Sequence, residues 1–121
     1  MNIEFKYHSI YPETILVRKV TGKISAEDVL VSLKKMKNLL EEKPSVRCVL
    51  NDLLDCELDM NMETFMPVLI YVKNQDWLKN IKMAVVTKNP KTIVFPILAE
   101  KKESRIKAFS SYEAAENWLL K

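Results

Sequence analysis

The sequence predicts a mixed α/β fold of order β-β-α-β-α-β-α-β-α, with a mostly parallel five-stranded sheet and one antiparallel strand. Three observations carry this. Short apolar runs, VRCVL (46–50), MAVVT (83–87) and RIKAF (105–109), alternate with stretches long enough to be helices, the pattern of parallel strands joined by crossovers. Such crossovers are right-handed, which orders the strands across the sheet. Two strand-like runs at the beginning are separated only by a short turn, so the first pair is an antiparallel hairpin.

Each element has its own justification. IEFKYH alternates Ile3, Phe5 and Tyr7 with Glu4, Lys6 and His8, the period of a half-buried strand, which places His8 on the solvent side. TILVRKV (14–20) is rich in β-branched residues, Pro12 and Glu13 mark the turn before it, and TGK closes it. Ser25 followed by Asp28 forms a capping-box-like helix entry. Val29, Leu33, Met36 and Leu40 then make one apolar stripe, with Lys34, Lys35 and Lys37 off it, and Pro44 ends the helix. VRCVL is a central strand ending at Asn51.

The stretch NDLLDCELDMNMETF (51–65) reads as the connection that follows. A second helix carries Phe65, Met66, Leu69, Ile70, Val72 and Trp77, with Thr64 as N-cap so that Pro67 falls in the first turn. After MAVVT, Asn89 and Pro90 signal a helix start, and Pro96 makes that helix short, kinked or split. Lys101 and Lys102 close it. After RIKAF, SSYE offers a capping box from Ser110 to Glu113, and YEAAENWLLK is the closing helix.

At 121 residues the chain is expected to be a single domain, residues 1–121. Its 48% apolar and 29% charged residues are those of an ordinary globular protein. A net charge of +3 gives no basic face for nucleic acid. The two cysteines, Cys48 and Cys56, are too few for a disulfide framework and suit a reducing compartment. MNIEFKYHSI lacks the apolar core of a secretory signal, and no apolar run reaches the ~20 residues that span a bilayer. The expectation is a cytoplasmic protein without a transmembrane segment. A single glycine, Gly22, cannot build a phosphate loop or dinucleotide fingerprint, so no cofactor is expected.

The segments RIKAFSSYEAAENWLLK, IKMAVVTKNP and VTGKISAEDV together resemble STAS-like domains: a strand ending in Phe, a capped turn, a helix with Ala-x-x-Trp-Leu, and the hairpin that opens that fold. The chain is similar to small stand-alone bacterial proteins of that group, which resemble both anti-sigma-factor antagonists and CRAL-TRIO lipid-transfer domains. The resemblance implies a regulatory or binding module. Anti-sigma-factor antagonists carry a phosphorylatable Ser after Asp at the start of the helix following the central strand. Residues 51–65 contain no Ser, and their one hydroxyl is Thr64, preceded by Glu63, so no phosphorylation is expected there.

Specific chemistry finds little support. Counted from Asp52, a calcium loop would have Leu54 and Cys56 at ligand positions; counted from Asp55, Met66 would stand in the place of the bidentate Glu. His8 is the only histidine, so neither a zinc cluster nor a paired nucleophile is indicated, and no metal is expected. Asp52 and Asp55 are a candidate carboxylate pair, against the reading that Asn51, Asp52 and Asp55 shape turns. Met60, Met62, Phe65 and Met66 are a candidate apolar lid, against the reading that they fill core.

The sequence therefore points to a non-enzymatic module binding a protein partner or a small apolar or anionic ligand at the carboxyl ends of the central strands. Its candidate residues run from Asn51 through Asp52, Asp55, Met60, Met62 and Phe65 to Met66, joined by Lys88, Lys91 and Phe95. The alternatives are a small enzyme using Asp52 and Asp55 with Lys88 or Lys91, and a structural domain that forms a homodimer.

Overall fold

In the computed structural model, residues 3–58, 62–88 and 105–121 are described. Strand β1 (Ile3–Tyr7) pairs antiparallel with β2 (Ile15–Ile24), Ile3 opposite Val20 and Tyr7 opposite Leu16. Helix α1 (Ala26–Glu42) leads to β3 (Cys48–Leu58), and α2 (Met62–Asn74) leads through a 3-10 turn at Asp76–Asn80 to β4 (Lys82–Val86). Strand β5 (Ile106–Phe109) and helix α3 (Tyr112–Leu119) close the described chain. The sheet order is β1-β2-β3-β4-β5, with every pair after the first parallel. The α/β class and the sheet expected from the sequence are thus those observed.

Apolar periodicity divides the core by face. On one side, Leu16 and Val20 of β2, Val49 and Leu53 of β3 and Met83 and Val85 of β4 pack under α1 and α2. The α1 stripe of Val29, Leu33, Met36 and Leu40 is buried there in full. On the other side, Ile15, Val17, Leu50, Ala84 and Val86 pack against Ala115 and Leu119 of α3. Each buried aliphatic side chain contributes on the order of 1.5–3 kcal/mol. Ser25 caps α1 reciprocally: its hydroxyl accepts from the Asp28 amide, and the Asp28 carboxylate accepts from the Ser25 amide.

Four expectations are corrected. TGK does not end β2, which runs on to Ile24; Gly22 takes φ 75°, open to glycine without a Cβ clash. Asn51 does not end β3, because the extended β2 supplies a partner out to Leu58, across a register shift between Lys19 and Thr21 that places one extra residue in β3. Most of the acidic stretch is therefore strand. Helix α2 begins at Met62, before Thr64, so Pro67 lies beyond its first turn, and Trp77 belongs to the separate 3-10 turn. Ser111, not Ser110, caps α3, its hydroxyl accepting from the Ala114 amide 3.3 Å away. The helix expected from Asn89 and Pro90 lies outside the described residues, as do Met60, Lys91 and Phe95.

Candidate functional site

The alternation of β3 sends Asn51 and Asp52 to opposite faces of the sheet. Asn51, between Val49 and Leu53, lies under α1 and α2 and is 1% exposed. Its Nδ2 donates to the Ala84 carbonyl at 3.1 Å, while its Oδ1 has no hydrogen-bond partner among the described residues. Beside it in register, on β2, is Arg18, which the sequence reading passed over. Arg18 lies between Leu16 and Val20 on the same face and is 8% exposed. Its Nη1 donates to Ser32 Oγ at 2.8 Å, and that hydroxyl donates onward to the Val29 carbonyl at 2.8 Å. The Arg18 Nε has no partner among the described residues.

Electrostatics follow from this burial. Loss of water lowers the Arg18 pKa to about 10, opposed by the Cys56 thiol nearby. Cys56 is half-buried against the same core. Burial pushes its thiol up; the Arg18 charge works the other way, and Glu57 adds to the rise. Among the described residues, Arg18 has no carboxylate within ion-pair distance.

Asp52 faces α3. Its Oδ1 accepts from the Leu54 amide at 3.1 Å, the turn-forming role weighed for it above, here inside a strand. Tyr112, at the start of α3, has its phenol pKa raised, first by burial, then by Glu116 and by Asp52. One turn further along α3, Glu116 meets His8 Nε2. His8 is 4% exposed, not solvated as its place in the strand alternation suggests, because α3 covers that face. Its Nδ1 accepts the Ile10 and Tyr11 amides, each at 3.1 Å, so both ring nitrogens are committed to structure. No single-strand periodicity could show this, since the partner lies 108 residues away.

The remaining candidates separate. Asp55 is exposed and pairs in register with Thr21. Lys88 is exposed just beyond β4. Met62 and Phe65 are placed on α2 by its backbone. Met66 is 45% and Ile70 54% exposed, with exposed Pro67 between them, on the side of α2 away from buried Val68 and Val72. Among the described residues no group of three or more His, Cys, Asp or Glu is gathered to hold a metal. No described helix is long and apolar enough to cross a membrane.

A sheet of this order, backed by α1 and α2 on one face and by α3 on the other, is the SpoIIAA-like, STAS-like α/β fold. The solved structure of an uncharacterised protein of the DUF3478 family with a SpoIIAA-like fold, from Shewanella loihica PV-4, is similar to this chain. It superposes with a TM-score of 0.58 over 97% of this chain and 91% of its own, at 19% sequence identity. At that identity the likeness is one of fold. No family model and no curated protein matches the sequence.

Proposed function

We propose that the protein is a non-catalytic binding module that engages a protein partner through the outer face of α2. One observation carries the reading. Met66 and Ile70 stand one turn apart, and Pro67, three positions before Ile70, flanks them, so three exposed apolar residues neighbour one another on α2. Helix-spaced apolar anchors of this kind are what a partner's groove reads. The three are flanked by Glu63 toward the start of the helix and Lys73 toward its end, which would give a docked partner a polar rim. The non-catalytic part of the proposal is supported by the residues themselves. His8 spends both nitrogens on structure, the Cys56 thiol is held up by burial, and Asp52 is tied to its own backbone.

The test is site-specific photo-crosslinking in cells that produce the protein. A photoreactive residue at position 70 is expected to give one discrete adduct. The same group at exposed Ile10 (71% exposed) is expected to give none. Adding Met66→Lys is expected to abolish the adduct while changing stability by no more than about 0.5 kcal/mol, as befits a surface position. Equal labelling from positions 70 and 10, or an adduct that survives Met66→Lys, would reject the reading.

A further inference from the structure

We propose that Arg18 and Asn51 together form a recognition site for a short hydroxycarboxylate. The site lies between the sheet and the α1–α2 layer, so it stands or falls independently of the outer face of α2. A guanidinium withdrawn from water is costly unless an anion meets it, yet among the described residues Arg18 is met only by the Ser32 hydroxyl. That hydroxyl orients the guanidinium through Nη1, because its own proton is committed to the Val29 carbonyl. The Nε edge is left for a further acceptor. In the neighbouring strand, ~4.8 Å away by sheet geometry, Asn51 is oriented just as firmly. Its Nδ2 is held by the Ala84 carbonyl, which leaves Oδ1 as an acceptor awaiting a donor.

The two unmet atoms specify a complementary molecule. An oxyanion placed at Nε is best a carboxylate, which matches the planar fork of a guanidinium. Among the described residues the site offers one buried cation, so a monoanion cancels its charge, whereas a phosphate dianion leaves excess negative charge in the interior. A plain aliphatic acid meets Arg18 but leaves Asn51 Oδ1 unsatisfied. An amino acid supplies a donor but brings a second cation into an apolar setting. A hydroxyl supplies the donor without charge. The molecule must be short, because Leu16, Val20, Val49 and Leu53 pack on either side of the pair.

The test is calorimetric titration of the 121-residue chain with DL-lactate, propionate and inorganic phosphate at matched ionic strength. Lactate is expected to bind about tenfold more tightly than propionate, the value of one buried hydrogen bond, and phosphate more weakly than either. Arg18→Met is expected to abolish lactate binding, and Asn51→Val to erase the preference for lactate over propionate. The wild-type ranking decides the matter even if a variant fails to fold. Equal responses to all three anions, phosphate ranking first, or no heat with any of them would overturn the proposal. So would lactate binding that survives Arg18→Met.

Discussion

Tyr112 shows how one side chain integrates its surroundings. Its phenol is partly withdrawn from water and lies within the fields of Glu116 and Asp52, and all three effects favour the neutral form. The folded state therefore keeps the phenol proton to higher pH than the unfolded chain does. The resulting stabilisation is present below the ordinary tyrosine value of about 10 and is lost as pH rises through the raised value. Asp52→Asn removes only the weakest of the three effects. Its Tyr112 midpoint, followed by NMR of the ring carbons, is expected to move down while staying above that of an unfolded control. A midpoint unchanged by Asp52→Asn would show that the carboxylate does not act on this phenol. At the cysteines, by contrast, the effects oppose one another. Burial raises Cys48 despite Lys82 and Arg105, and raises Cys56 despite Arg18. Neither is tuned as a nucleophile.

At the scale of elements, what could be read in advance was what is local. The Ser25–Asp28 box and the Val29, Leu33, Met36 and Leu40 stripe are decided within one helix, and α1 formed as its residues dictate. Strand β3 is the opposite case. Its second half, Asp52–Leu58, carries three acidic residues, Asp52, Asp55 and Glu57, a turn-like composition, and nothing within it announces that β2 waits alongside. Its strand character comes from a partner, and that partner exists only because β2 continues through Gly22. Arg18 was illegible for a related reason: a charged residue in an alternating strand is ordinarily an outward one, and only the docking of α1 shows it turned inward. Ser110 offers a box with Glu113 that Ser111 cannot, since Ala114 stands at the matching place, yet Ser111 is the cap used. The dependence of β3 on Gly22 can be measured. Gly22→Ala places a Cβ at φ 75° and is expected to cost about 1–2 kcal/mol in chemical denaturation. Amide exchange is expected to rise selectively in Asp55–Leu58 rather than in Cys48–Asn51. A uniform rise along β3 would mean that the two halves open as one unit.

Across the whole molecule, the sheet is asymmetric in how it is covered. Its α1–α2 face is built from neighbouring crossovers, while the described cover of the other face is a single eight-residue helix at the end of the chain. The clasp of His8 with Glu116 joins that helix to the turn after the first strand, across 108 positions of sequence. A contact this distant adds little until most of the chain between is already in place. The clasp should therefore close after the rate-limiting step of folding and act as a latch on the way out. His8→Ala, which strands the Ile10 and Tyr11 amides as well as Glu116, is expected to accelerate unfolding about tenfold and leave the refolding arm of a chevron plot unmoved. A slower refolding arm would instead place α3 in the folding nucleus. If the latch behaves as expected, the native lifetime of this protein is governed by the last helix to arrive, and its kinetic persistence can be tuned at His8 without altering how fast it is made.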